Sequence, residues 1–213
     1  MAKPNIVSAK EWQAARDALL GDEKRLTREL DALAAKRRRL PMVEFANKYA
    51  FTGPRGSLTL LDLFDGRPQL IQYQFMDRGP DKYCPGCTGF TNNICNHALP
   101  YLHRRGVSWC NVSNMPIAQI EAYKAKQGWK IPFVSSHGTT FTTDTGANNS
   151  FLLSVFLRDG DKIYRTYATT QRGVDRLLFT SNILDLTPFG RQEAWEDSPP
   201  GWPRVDHVSS VEA

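Results

Sequence analysis

The chain has 213 residues, and 27 lysines and arginines against 22 aspartates and glutamates leave a formal net charge of +5. Hydrophobic residues at 41% and charged residues at 23% exclude a disordered or low-complexity polypeptide, and the length suffices for one well-buried domain with attached elements. Residues 1–21 show no basic patch followed by an apolar run, and no stretch has bilayer-spanning length, so a cytoplasmic protein without membrane attachment is expected.

In chain order, residues 8–39 lack an interior proline and repeat apolar side chains at Trp12, Ala15, Leu19, Leu26, Leu30 and Leu33, which predicts one long or broken helix with Gly21 as its weak point. Ser8 and Glu11 have the spacing of a capping box, and Pro41 supplies the stop. The run Lys36, Arg37, Arg38 and Arg39 reads as a solvated helix end favoured by the dipole; four adjacent cations do not make a nucleic-acid site. The apolar face of this arm predicts a cover, either the body of the same chain or a second copy in a homodimer.

After Pro41, Gly53, Pro54 and Gly56 separate residues 45–52 from 58–64 as a hairpin or irregular lead-in. Residues 70–76 form the first firm strand. Residues 87–105 have helical spacing through Phe90, Ile94, Ala98, Leu99 and Leu102, with Pro100 as a kink. A strand over 107–112, a helix from Met115 to Gly128 and a third extended piece over 129–134 follow. Residues 135–150, rich in Gly, Thr, Asn and Ser, read as largely loop. Strands over 151–157 and 162–168 flank an Asp159–Gly160 hairpin turn, and 174–184 returns to helical spacing. This order predicts an α/β fold: a mixed central sheet flanked by helices, behind an N-terminal helical extension. The divisions are 1–41 for the extension, 42–195 for the domain and 196–213 for a tail with Pro199, Pro200, Gly201 and Pro203.

Chemistry concentrates at four cysteines, too few for a disulfide-built scaffold, so a close pair in a reducing compartment points to catalysis or metal. Cys84 and Cys87 flank Pro85 and Gly86 at a helix start, where exposed amides stabilise a thiolate. Cys84 is thereby the expected nucleophile and Cys87, one turn on, the resolving thiol. This cycle requires no bound cofactor or metal; its partners are a disulfide or oxidised-thiol substrate and an external reductant. Tyr83 and Trp109 are candidate apolar walls, His137 a candidate contact from its polar loop, and Arg78 and Lys82 rank below the cysteines as activators. Zinc on Cys84, Cys87, Cys95 and His97 is the competing use, opposed by the helix that would point these ligands apart. Cys95 and Cys110 read as buried thiols, and His97 and His103 lack an acidic orienter.

Several segments together carry a resemblance. They are Asp62-Leu63-Phe64-Asp65-Gly66-Arg67, Cys84-Pro85-Gly86-Cys87, Glu121-Ala122-Tyr123-Lys124, Trp129 with Val134-Ser135-Ser136, Leu153-Ser154-Val155-Phe156 before Arg158-Asp159-Gly160, and Leu184-Asp185-Leu186-Thr187-Pro188. In these the chain resembles the bacterial domain of unknown function 899 family, a thioredoxin-like group. The resemblance implies a thioredoxin-like sheet and carries a redox role onto Cys84 and Cys87. Two departures from the wider thioredoxin pattern accompany it: Pro and Gly are reversed between the cysteines, and Leu152 stands where a substrate-facing cis-proline is expected, so that the surface for gripping a disulfide is either absent or supplied by residues 148–151. A thiol–disulfide oxidoreductase is the expected function; a non-catalytic thioredoxin-like binding module and a thiol peroxidase are its alternatives.

Overall fold

A computed structural model describes residues 4–148 and 150–204 of the chain; the rest of the expected tail, and Asn149 in the expected substrate-gripping segment, lie outside the described residues. Helix α1, Ala9–Arg37, begins as the capping pattern requires: the Glu11 amide donates to Ser8 Oγ at 3.3 Å and the Ser8 amide to the Glu11 carboxylate at 2.9 Å. Gly21 does not interrupt it. At the far end the Arg39 guanidinium donates to the Ala35 carbonyl, and Arg37 lies over the Tyr167 ring, 5.3 Å from its centroid. No residue of α1 is buried, so the chain's own sheet is not the cover for its apolar face.

Eight strands form one sheet: β1 (Val43–Phe45), β2 (Phe51–Gly53), β3 (Gly56–Leu58), β4 (Gln69–Phe75), β5 (Val107–Ser113), β6 (Phe133–Ser135), β7 (Leu152–Asp159) and β8 (Lys162–Thr169), in the order β1-β8-β7-β4-β5-β6-β2-β3. Strands β4, β5 and β6 run parallel, and the other pairings are antiparallel. The lead-in thus splits: β1 joins one edge on β8, whereas the β2–β3 hairpin closes the other on β6. Tyr49, between them, is buried against Phe45, Phe51 and Phe141. In the β7–β8 hairpin Asp159 pairs with Lys162, leaving Gly160 (φ 57°) and Asp161 as a two-residue turn, a conformation that favours glycine.

Alternation along β4 sends Leu70 to one face and Tyr73 and Phe75 to the other. The first face joins Phe51, Leu60, Phe64, Val112, Phe141 and Phe156. The second is covered by α2 (Pro85–Asn92), α3 (Leu99–His103) and α4 (Ile117–Gln127), and buries Phe90, Leu99, Ile120, Tyr123 and Phe133. At about 2 kcal/mol for each fully buried large side chain, these two layers supply the main drive for folding. Among the described residues no helix is long and apolar enough to cross a membrane.

Two local expectations are corrected, and the segment 135–150, largely loop as expected, holds one short helix. The helical stretch from Cys87 to Arg105 is not continuous: α2 ends at Asn92, a 3-10 turn spans Asn96–Ala98, and α3 starts at Leu99 with Pro100 in its first turn. Proline is accommodated there because no helical bond needs its missing N–H, so it opens a helix instead of kinking one. The segment 135–150 contains a short helix α5, Phe141–Asp144, which fully buries Phe141. Residues 174–184 divide into a 3-10 segment, Gln171–Leu177, and α6, Phe179–Leu184.

Candidate active site

The carboxyl end of β4 delivers Met76 into a loop closed on itself by an isolated Asp77–Tyr83 bridge. Asp77 Oδ1 accepts from the Gly79 amide at 2.9 Å, and Gln119 of α4 donates to the Gly79 carbonyl at 3.1 Å. The loop then hands Cys84 to the N-cap of α2 in an extended conformation, φ −70° and ψ 115°, with Pro85 starting the helix. The Cys84 sulfur sits where a Ser or Asp oxygen usually caps, accepting from the Cys87 amide at 3.4 Å. Its carbonyl accepts from the Thr88 amide and hydroxyl, both at 2.9 Å.

The two sulfurs occupy different environments. Cys84 is partly exposed and Cys87 is buried, 1% exposed. Interaction with the Cys87 side chain, together with the amides of Cys87 and Gly86 and the charge of Arg78, outweighs desolvation and lowers the Cys84 thiol from 9.0 to about 6. The same contact with Cys84, followed by burial, pushes Cys87 well above the ordinary thiol range, against opposing hydrogen bonds from the Met76 amide and the Tyr73 hydroxyl. One cysteine is thus held ready as the anion and the other kept protonated, as two thiols sharing one negative charge must be. Of the two loop cations named from sequence, Arg78 is the one that acts on Cys84.

Packing fixes α2 against the sheet. Tyr73 stacks on Phe90 with ring centroids 4.1 Å apart. Trp109 donates its indole N–H to Asn111 at 2.9 Å, the Asn111 amide donates to Thr91 at 3.3 Å, and the Thr91 hydroxyl donates to the Cys87 carbonyl at 2.9 Å. Tyr83 stacks on Tyr123 at 3.5 Å and 4° between planes, and the Tyr123 hydroxyl meets that of Thr88 at 2.8 Å. The aromatic wall beside Cys84 is thus two rings deep.

Of the residues singled out from sequence, Tyr83 adjoins Cys84 in the chain and forms this wall, whereas Trp109 is buried in β5 beneath α2. His137 is exposed beyond the carboxyl end of β6, its Nδ1 3.1 Å from the Asn114 carbonyl, and Leu152 begins β7 opposite Gln74. Both lie at the end of the sheet where β4 delivers Met76, the end at which open parallel sheets present ligand crevices. No cis peptide occurs among the described residues. Cys110 is buried, as expected, and burial pushes its thiol up to about 12. Cys95 is not a buried thiol: it is exposed past the end of α2, because the helix stops short of it. Among the described residues no three His, Cys, Asp or Glu side chains converge as metal ligands do.

Three contributors escaped the sequence. Met76 places its thioether 3.6 Å from the Cys84 sulfur and its amide 3.5 Å from the Cys87 sulfur. Tyr73 and Tyr123 approach Cys87 and Tyr83. Period-two alternation already places Tyr73 on the face that a helix must cover; nothing in the spacing reveals Met76, whose position depends on the return of the loop.

A family model described as a bacterial protein of unknown function, DUF899, matches residues 1–208. No curated protein matches the chain. Among solved structures, the chain is similar to the peroxidoxin BcpB from Mycobacterium tuberculosis at 13% identity, over 62% of this chain and 82% of that one, with a TM-score of 0.43. It is similar to peroxiredoxin Q from Xanthomonas campestris at 20% identity, over 60% and 84% of the two chains, with a TM-score of 0.42. A secreted disulfide oxidoreductase of M. tuberculosis, homologous to E. coli DsbE, is similar at 11% identity over 61% and 91%, with a TM-score of 0.42.

Proposed function

We propose, for a chain that belongs to the DUF899 family of bacterial proteins of unknown function, thiol–disulfide oxidoreductase activity carried by Cys84 and Cys87. The observation that supports this reading is the pairing of an accessible N-cap sulfur, lowered to about 6, with a buried thiol that interacts with it. The Cys84 thiolate attacks one sulfur of a substrate disulfide, forming a mixed disulfide and releasing the first substrate thiolate, which takes a proton from solvent. The charge on Cys84 is then gone, and with it the main cause that kept Cys87 protonated. Cys87 loses its proton and attacks Cys84, forming the internal disulfide and expelling the second substrate thiolate. The protein loses two electrons and the substrate gains them; an external dithiol returns the pair to its reduced state. The stacked Tyr83 and Tyr123 rings offer the apolar side of a groove for the substrate's chain. Residues 42–195 are the working unit and the cytoplasm its proposed setting.

The test is trapping with oxidised glutathione and mass analysis of the intact protein. The wild type passes to an internal Cys84–Cys87 disulfide two hydrogens lighter, whereas Cys87→Ser stops at a glutathione adduct on Cys84. An adduct distributed equally over Cys84 and Cys110, or a Cys87→Ser adduct no longer-lived than that of the wild type, would end the proposal.

A further inference from the structure

Helix α1 is 29 residues long, about 44 Å at 1.5 Å per residue, and buries none of them. A helix standing in water draws little stability from propensity alone and normally relies on an apolar face packed against something. That face exists. Trp12, Leu19, Leu26 and Leu33, with Leu40 in the tight turn that follows, are all large apolar side chains 41–58% exposed, spaced seven residues apart. A strict seven-residue repeat winds two helices into a left-handed supercoil that keeps the seam in contact, and Leu30, half-buried between Leu26 and Leu33, broadens it.

The charges on α1 are unevenly placed and indicate the direction of pairing. Ala9–Glu23 carries four carboxylates against two cations, whereas Lys24–Arg37 carries five cations against two carboxylates. A parallel pair would set each half against its like; an antiparallel pair sets the acidic half of each helix along the basic half of the other. The stripe is also symmetric about Leu26. Turned end for end, Trp12 meets Leu40, Leu19 meets Leu33 and Leu26 meets itself, so every large side chain of the repeat has a partner.

We infer that α1 is the dimerisation element of this protein and pairs antiparallel with α1 of a second copy. The inference is independent of the redox proposal, since the seam contains no residue of the cysteine site. Leu26 is solvent-facing in the single chain, so Leu26→Lys leaves the monomer's packing intact while placing two cations at the centre of the dimer.

Sedimentation and light scattering of the full chain are expected to give a dimer for the wild type and for Cys84→Ser, and a monomer for Leu26→Lys with Cys84 alkylation unchanged. For direction, Leu19→Cys and Leu33→Cys chains, each also carrying Cys84→Ser and Cys95→Ser, are mixed and oxidised; the antiparallel pair yields the mixed 19–33 disulfide as the main product. A wild type that stays monomeric up to about 100 µM, well above the range of specific dimers, a Leu26→Lys protein that stays dimeric, or predominant 19–19 and 33–33 disulfides would each overturn the inference.

Discussion

Replacing Cys87 by alanine tests the physical cause assigned to Cys84. The leading contribution that lowers the Cys84 thiol to about 6 is the interaction with the Cys87 side chain. At pH 7 a thiol at 6 is about 90% ionised, against about 1% for one at 9. Intrinsic nucleophilicity falls with basicity, however, and over three units a Brønsted coefficient near 0.45 costs about 20-fold. The net advantage over an ordinary thiol is therefore only about fourfold at pH 7 but roughly 40-fold at pH 5. The assay is the pH profile of iodoacetamide alkylation at Cys84, followed by mass. The wild-type midpoint is expected near 6. In Cys87→Ala the midpoint moves up towards the ordinary value, though not all the way, because the Gly86 and Cys87 amides and Arg78 remain. Cys87→Ser, which retains a hydroxyl donor, stays closer to the wild type. A wild-type midpoint near 9, or an unchanged midpoint in Cys87→Ala, would refute the reasoning.

The same shifts fix a pH dependence of stability for the reduced protein. The Cys84 thiol is depressed from 9.0 to about 6 on folding, so its contribution is complete above the unfolded value and is lost as pH falls from 9 through 6. Three units set a ceiling of about 4 kcal/mol, which solvent screening of a half-exposed sulfur reduces to about 1–2 kcal/mol; in urea titrations the gain in unfolding free energy from pH 5.5 to pH 8.5 should be larger for wild type than for Cys84→Ser by about that amount. Above pH 9 the raised thiols of Cys87 and Cys110 act in the opposite sense, since the unfolded chain ionises first. Thr91→Val cuts the hydrogen-bond chain from Asn111 to the Cys87 carbonyl and should cost about 1–2 kcal/mol in denaturant, with the Cys84 midpoint unmoved. Gln72, fully buried, has neither amide atom paired among the described residues, so Gln72→Met is expected to raise stability by about 1 kcal/mol; a loss of that size would show that the amide is satisfied. Gly21→Ala meets open space in a regular helix and should stabilise α1 by about 0.5–1 kcal/mol, read by circular dichroism on heating.

Local pattern made much of this molecule legible. The Ser8–Glu11 capping box, the strand periodicity of β4 and β5 and the helix start at the cysteine pair all depend on neighbours within a few residues and formed there, and the β7–β8 turn formed one residue later than expected, at Gly160–Asp161. The seven-residue stripe of α1 was equally visible, because a helical face is a function of sequence alone. The place of Cys84 and Cys87 at a helix start, one turn apart, was legible as well; that Cys84 is the N-cap residue and Pro85 the first helical one was not.

What the sequence left open are contacts between residues far apart in the chain. That β1 and β2, separated by five residues, close opposite edges of the sheet depends on which edge each finds unpaired. That Cys87 is buried while Cys84 is not depends on Tyr73 and Phe90 meeting beneath α2, and the convergence of Met76 on both sulfurs depends on a loop pinned by Gln119 from α4. Spacing determines which side of an element a residue faces; only packing determines what it faces there, and the division of one negative charge between two sulfurs is set by that second fact.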